Sequence, residues 1–339
     1  MIPNKYEKLL TIAIPTYNRV EFLEECLEHV LSQIGKGDPD VEILVSDNAS
    51  SDETPAIMKE LCNNFPYIHY YRNETNVGAD CNFLNCLKKA QGRFVHLLAD
   101  DDILLPGSID KIKECIIKNP DLKLIYLNSS SFSDQFDPNK NYSQHKYFKI
   151  NHDVIYDNPN QYLEDIQEML SFVSALVFNK ESFDRIVQPE KYIGTYLLQA
   201  HLALLCICTG ENAIISHVCI AARSENSGGY DLYKIFVYEW KNLLFKTGLQ
   251  AGLLKSSLKK TFKKTLKKFL RSWTKRIRLT NNYSKYGINR AILFKYSWTY
   301  LNAWIYVYPY AFLPKGFLIG SKKIELFIRK IRDKHRKKY

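Results

Sequence analysis

The sequence has no Cys-x-x-Cys pair, although it contains 8 cysteines in 339 residues. Structural zinc sites draw on closely spaced ligand pairs, so a zinc-held scaffold is not expected. A chain this long needs no disulfide framework. Several cysteines fall among apolar residues of helical pattern, so they read as small buried hydrophobes in a reducing cytosol. No repeat of fixed period runs through the chain. Residues 1–10 carry Lys5, Glu7 and Lys8 and no long apolar stretch, and so do not read as a signal peptide. Acids are nearly missing from the last quarter: residues 250–339 hold 24 Lys or Arg but only Glu325 and Asp333. The formal charge of +11 is therefore a sum of +22 in that tail and −11 in residues 1–249. Two oppositely charged parts argue for two different jobs, and against reading the whole chain as a nucleic-acid binder.

What is present is an ordinary globular composition, 46% hydrophobic and 24% charged, which excludes a fibrous or wholly disordered chain. Short β-type runs at residues 9–14, 41–46, 67–71, 93–98 and 122–127 alternate with helical patterns. The first such helix repeats apolar residues at Val20, Leu23, Cys26, Leu27, Val30 and Leu31. Others are expected near residues 52–65, 82–90 and 108–118. Strands joined through helices imply crossovers and a mainly parallel α/β sheet, whose ligands sit at the carboxyl ends of the strands. Residues 131–165 read as a long polar loop, 171–178 and 214–222 as strands, 196–208 as a helix. From about residue 231 the chain turns helical and then strongly basic.

The strand ends carry the chemistry. They read Pro15-Thr16-Tyr17-Asn18-Arg19, Asp47-Asn48-Ala49-Ser50, Asn76-Val77-Gly78 with Asn82 beyond, and Asp100-Asp101-Asp102. Such a set suits a nucleotide: an amide or carboxylate for the base edge, hydroxyls and amides for ribose, a glycine where backbone meets ligand. Three adjacent carboxylates repel unless a cation sits among them, and a divalent ion with a diphosphate would supply one. A solvated acidic turn could carry the same triplet. The apolar flanks Phe94–Leu98 and Leu104-Leu105-Pro106 favour the functional reading.

In this order the four segments resemble the family 2 inverting glycosyltransferases of GT-A fold, closely over residues 9–130. Weaker similarity in 172–178, 192–196 and 223–229 resembles the abequosyltransferase-like branch, which builds O-antigen side branches. The resemblance implies that Pro15, Thr16, Tyr17 and Arg19 line the nucleotide pocket with Asn48, that Asp47 faces the base, and that Asn76 and Gly78 border ribose and sugar. It implies Asp100 on ribose or sugar, and Asp101 and Asp102 nearest a Mg2+ or Mn2+ ion. The family commonly places a Glu-Asp pair near the start of the helix in the second half. Here that stretch reads Tyr192-Ile-Gly-Thr-Tyr-Leu-Leu-Gln-Ala-His201 and has no carboxylate. His201 is the nearest group of suitable pKa for a general base, and Glu168 and Asp165 are the carboxylate alternatives. Arg223, Asn226, Gly228 and Gly229 read either as a surface turn or as a flap whose Arg223 meets the diphosphate.

In the tail, Leu258, Phe262, Leu266, Phe269, Leu270, Trp273 and Ile277 recur at helical spacing between lysine pairs. The uncharged, ring-rich segment 296–313 suits a membrane interface better than a hydrocarbon core. At 18 residues with Pro309 it sits at the lower limit for a span. Three readings of the tail compete: core packing, nucleic acid, or docking on an anionic membrane surface. No nucleic-acid module accompanies it. The expectation is a GT-A catalytic domain over 1–230 and a basic helical region over 231–339. The chain would be cytoplasmic and peripheral on the inner face of the membrane, taking a nucleotide-sugar donor and a lipid-linked glycan acceptor. A nucleotidyltransferase, or a non-catalytic sugar-nucleotide-binding protein of related fold, is the alternative.

Overall fold

The computed structural model describes residues 6–35, 37–133, 135–224, 229–280 and 286–318. Asn226 and Gly228 of the expected flap lie outside the described residues, as do residues 319–339 of the basic tail. The chain opens with β1 (Lys8–Thr16), α1 (Val20–Ile34), β2 (Val41–Asp47), α2 (Thr54–Asn64), β3 (Ile68–Arg72), α3 (Ala79–Lys89) and β4 (Gly92–Leu97). Then follow β5 (Ile103–Leu104), α4 (Ser108–Lys118), β6 (Leu124–Phe132), β7 (Val154–Tyr156) and α5 (Pro159–Ile166). The sheet is completed around β8 (Leu176–Asn179), α6 (Lys180–Asp184), α7 (Leu198–Ile207) and β9 (Asn212–Arg223).

Central strands are mostly apolar because helices cover both faces, and every residue of β2, Glu42, Ser46 and Asp47 included, is buried. In α1 the buried positions are Leu23, Cys26, Leu27, Val30 and Ile34, the face that the periodicity marks. Asp52 ties two helix starts together: one carboxylate oxygen accepts from the Val20 amide at 3.0 Å, the other from Thr54 at 3.1 Å. Gly92 is required by close approach, since a Cβ there would stand 2.6 Å from the Thr11 nitrogen.

The strands form one sheet in the order β3-β2-β1-β4-β8-β6-β9-β5, with β7 added on β9. β3, β2, β1 and β4 run parallel. The sheet is thus the mainly parallel one expected, with a difference in its middle. β6, the expected fifth strand, does not lie beside β4. β8 stands between them, antiparallel to both. The strand expected over 171–178 is also shorter, because residues 167–171 and 173–175 form 3-10 turns. There Ser174 spends its backbone carbonyl on His96 rather than on a ladder, at 2.8 Å. The polar stretch expected as loop contains β7 and α5.

The remainder is helical: a π-helical turn at Lys234–Glu239, α8 (Trp240–Asn242), a second at Leu243–Gly248, α9 (Lys255–Thr265), a third at Leu266–Leu270, and α10 (Arg271–Thr280). Short helices α11 (Arg290–Ser297), α12 (Leu301–Tyr306) and α13 (Tyr308–Phe312) follow. Among the described residues no helix is long and apolar enough to cross a membrane. The chain divides into two compact units, Met1–Asn226 with Asn242–Leu258, and Ser227–Lys241 with Lys259–Tyr339. The second unit has its own core in Tyr233, Trp240, Phe262, Leu266 and Leu270.

Candidate donor site

Strand order reverses across β1, which has β2 on one side and β4 on the other. Loops leaving the carboxyl ends of such strands diverge and leave a crevice. Here the crevice has a volume of about 380 Å3 and is lined by Pro15, Thr16, Tyr17 and Arg19 after β1, Asn48 after β2, Asn76, Gly78, Ala79, Asn82 and Phe83 around the start of α3, and Ala99 and Asp100 after β4. This size suits a small organic ligand. A larger hollow of about 670 Å3 borders α4 and β7. Its Lys111 and Lys118 are already paired with Glu114, and it lies away from the acidic triplet.

The loops are locked to each other. Asn18, at φ 52°, donates its amide to Ser50 Oγ and accepts from the Ser51 amide. Asn48 donates to Asn76 Oδ1 at 2.8 Å and accepts from the Val77 amide and from Asn73 Nδ2. Asn82 reaches back to β2 through both ends of its amide, to the Ser46 hydroxyl and carbonyl. Gly78 sits at φ 85°, a conformation that side chains resist, and this aims the start of α3 at the crevice.

Asp47 is corrected by the structure. It is fully buried and does not line the crevice. Its carboxylate accepts from the Ser50 amide at 2.9 Å and the Tyr70 hydroxyl at 2.6 Å, with Arg72 Nε at 3.3 Å. Those partners fix the turn that presents Asn48, so Asn48 holds the position expected of Asp47.

The acidic triplet divides into outward and inward members. Asp100 accepts from Thr16 Oγ1 at 2.8 Å, and one Arg19 nitrogen lies 3.2 Å from both Asp100 Oδ1 and Asp101 Oδ2. Two carboxylate oxygens thus converge on one cationic centre at the lip of the crevice. Asp102 turns inward: Oδ2 accepts from Ser174 Oγ at 2.5 Å and Oδ1 from the Arg223 amide at 2.9 Å. Burial pushes the Asp100 carboxyl up to about 6 against the pull of Arg19. Burial and then the Asp101 charge push Asp102 up to about 7. The expected metal pair Asp101 and Asp102 is therefore replaced, as the outward pair, by Asp100 and Asp101. Among the described residues no group of three His, Cys, Asp or Glu side chains is arranged to hold a metal ion. A cation at Asp100 and Asp101 would need its other ligands from elsewhere, as a diphosphate provides.

Four further expected residues are placed apart from the crevice. His201 is buried in α7, stacked on Tyr192 at 4.3 Å, with Nδ1 on Thr247 Oγ1 at 2.9 Å. Burial, and after it Lys191, lower its pKa to about 3, so it stays neutral, and it does not line the crevice. Glu168 is nearly fully buried and lies beside a small serine-rich cleft lined by Ser129, Ser130, Tyr147, Met169 and Phe172. Burial and then the Glu168 charge push the Tyr147 hydroxyl up. Asp165 accepts from the Tyr156 hydroxyl at 3.2 Å. Arg223 does not line the donor crevice. Its guanidinium is held over Phe132 at 4.6 Å and Phe22 at 5.0 Å, paired with Glu25, and its Nε donates to the Asp101 carbonyl.

Two residues that matter here carry no motif. Ser174 binds both ends of the acidic loop, donating to Asp102 and accepting from the Ala99 amide at 3.0 Å. Asp80, two positions past Gly78, accepts from the Gly194 and Tyr196 amides at 2.8 and 3.1 Å. It thereby holds the turn that leads into α7, where the expected Glu-Asp pair is missing. A polar residue in the first turn of α3 was the only sequence signal for Asp80; Ser174 had none.

Residues 11–180 match the family model described as Glycosyl transferase family 2. The chain is 32% identical over 196 residues to the abequosyltransferase RfbV of Salmonella typhimurium, covering 55% of this chain and 57% of that protein. It is 36% identical over 106 residues to the GalNAc(5)-diNAcBac-PP-undecaprenol beta-1,3-glucosyltransferase of Campylobacter jejuni, covering 31% and 33%. The matched part thus spans about half of the first relative and a third of the second. Among solved structures, the mannosyltransferase PcManGT of Pyrobaculum calidifontis, in complex with GDP-Man and Mn2+, shares the fold at a TM-score of 0.53. That likeness covers 97% of this chain and 83% of that one at 14% identity. With a matched model over half its length and a GT-A sheet carrying the convergent strand-end loops, the chain belongs to the family 2 glycosyltransferases.

Proposed function

We propose that the protein transfers a sugar, with inversion, from a nucleotide-sugar donor to a lipid-linked glycan of the O-antigen or capsule type. The observation that carries this is the convergence of Thr16, Arg19, Asn48, Asn76, Gly78 and Asp100 on one crevice at the strand-order reversal. Asn48 and Asn76 offer amides to base and ribose. Thr16 and Arg19 orient Asp100. Asp100 and Asp101 would hold a Mg2+ or Mn2+ ion once the Arg19 nitrogen that now bridges their oxygens gives way to it. Bound there with the donor diphosphate, the ion would neutralise charge on the departing nucleoside diphosphate.

The acceptor hydroxyl must lose a proton on the face opposite the leaving group. Glu168, whose charge reaches Tyr147 in the wall of the serine-rich cleft, is the proposed general base in place of His201, which faces Tyr192 and Thr247, and the serine hydroxyls would hydrogen-bond acceptor hydroxyls. Asp80 is a positioning residue through the turn at Gly194 and Tyr196. Residues 1–230 would carry the chemistry and residues 231–339 the association with an anionic membrane surface, on the cytoplasmic side where nucleotide sugars are available. The Campylobacter relative, named for a substrate carried on PP-undecaprenol, supports a lipid-linked acceptor.

The test is a thermal-shift screen of nucleoside diphosphates and nucleotide sugars with and without Mn2+. A ligand at a hundred times its Kd adds about 2.7 kcal/mol of stability, enough to name the donor class. Absence of any metal-dependent shift would sink the donor-site reading. With the donor known, Glu168→Gln should lower kcat by about a hundredfold or more while leaving donor affinity intact.

A further inference from the structure

Resting on the membrane-association reading above, we propose that the exposed face of α11–α13 is the docking surface, and that its occupant is the interface of an anionic lipid bilayer.

Within the second unit, Phe294, Trp304, Tyr308, Pro309, Phe312 and Leu313 line an almost wholly apolar cleft of about 430 Å3. The rings form a chain, with Phe294 to Trp304 at 6.2 Å, Trp304 to Tyr308 at 4.8 Å and Tyr308 to Phe312 at 5.4 Å. Aliphatic side chains are also left in water: Leu301 is 69% exposed and Ile305 53%, and Phe317 is 67% exposed. So dense a run of apolar exposure over 25 residues is costly unless something covers it.

Charge selects what covers it. Residues 240–318 contain no Asp or Glu, whereas residues 255–318 hold 15 Lys or Arg. The cations stand on the same helices' rings: Lys267 lies over Tyr306 at 5.3 Å, Lys275 over Tyr310 at 5.6 Å and Arg290 over Phe312 at 6.0 Å, with Arg271 within 6 Å of both tyrosines. A second copy would bring like charges together without a carboxylate to meet them. Nucleic acid would use the rings and the cations but not Leu301, Ile305 and Phe317, which have no base to stack. A bilayer surface uses all three: phosphates for Lys and Arg, the headgroup level for Trp and Tyr, and the acyl boundary for Leu, Ile and Phe.

The face is tested by flotation of the full chain with vesicles of phosphatidylcholine alone and of phosphatidylcholine with one-third phosphatidylglycerol. Wild type should bind the anionic vesicles and release in high salt only in part. Leu301→Ser with Ile305→Ser should weaken partitioning by about tenfold or more. Lys267→Gln with Arg271→Gln should weaken binding to the anionic vesicles by roughly thirtyfold, at about one tenfold step or less per cation. Phe317→Ser, at an independent exposed site, should weaken binding in the same direction. Circular dichroism and the nucleotide-induced thermal shift, both unchanged, would show that the variants fold. Wild type that floats with neither vesicle refutes membrane association itself. Variants with the Leu301, Ile305 and Phe317 changes that float as well as wild type refute this face while leaving association standing. Reversible dimerisation that depends on Leu301 and Ile305, without flotation, would assign the face to a second copy and overturn the proposal.

Discussion

Replacing Ser174 by alanine tests how the acidic loop is held. The hydroxyl donates to Asp102 Oδ2 at 2.5 Å and accepts from the Ala99 amide at 3.0 Å, and both Ser174 and Asp102 are buried. A hydrogen bond to a charged group is worth about 1.5–3 kcal/mol and a neutral one about 0.5–1.5 kcal/mol, so the loss should be about 2–4 kcal/mol. Alanine deprives the Asp102 carboxyl and the Ala99 amide of the one hydroxyl that they share. For a unit of this size each kcal/mol moves Tm by about 2–4 °C, giving a fall of about 4–16 °C by calorimetry. Ser32→Ala is the control: its exposed hydroxyl only bonds the His29 carbonyl, and the change should stay within about 0.5 kcal/mol. Because Ser174 also sets where Asp100 and Asp101 stand, nucleoside diphosphate affinity should drop by about tenfold, or 1.4 kcal/mol. A Ser174→Ala protein with wild-type Tm and wild-type nucleotide affinity would refute the account of the loop.

Gly78→Ala should cost about 1–3 kcal/mol although the space beside Gly78 is open, since at φ 85° the penalty lies in the backbone; donor binding should weaken with it, read by calorimetry. His201 stays neutral in the folded chain down to about 3, against an ordinary value of 6.5. The unfolded chain therefore takes up a proton that the folded one refuses, and stability is full above 6.5 and lost as pH falls toward 3. Between about pH 7.5 and about pH 5.5 the loss should be about 1.4 kcal/mol, and His201→Gln should remove that increment from the urea-unfolding midpoints. Burial puts His96 in the same position, with its window closing at about 4.

Much of the donor half was legible in sequence because its signals are local. The apolar runs of β1, β2 and β4, the helical periodicity of α1 and the turn residues at strand ends all act within a few positions of themselves. Parallel strands joined by helices leave one geometry for the crossover, so their carboxyl ends gather Thr16, Asn48, Asn76 and Asp100 at one edge. What sequence spacing could not decide was which way a polar side chain turns once it is there. Asp47 and Asn48 are adjacent, and only Tyr70, Arg72 and Ser50 determine that the first is consumed inside and the second faces the crevice.

The same holds in the second half. β8 inserts antiparallel between β4 and β6, and that pairing brings Ser174 to the acidic loop from 72 residues away. His201 had a helix and a suitable ordinary pKa, but Thr247 and Tyr192 bury it. Arg223 had the right loop, but Phe22, Phe132 and Glu25 hold its guanidinium. The amphipathic, acid-poor tail was plain from composition, whereas its exposed face depends on which rings the second unit keeps for its core. By itself, then, the sequence determined most of the order of elements, the family and the edge of the sheet where the proposed donor-site residues gather. The tertiary structure decided which carboxylates look outward and which apolar rings stay in water, because burial and hydrogen-bond satisfaction are set by partners far apart in the chain.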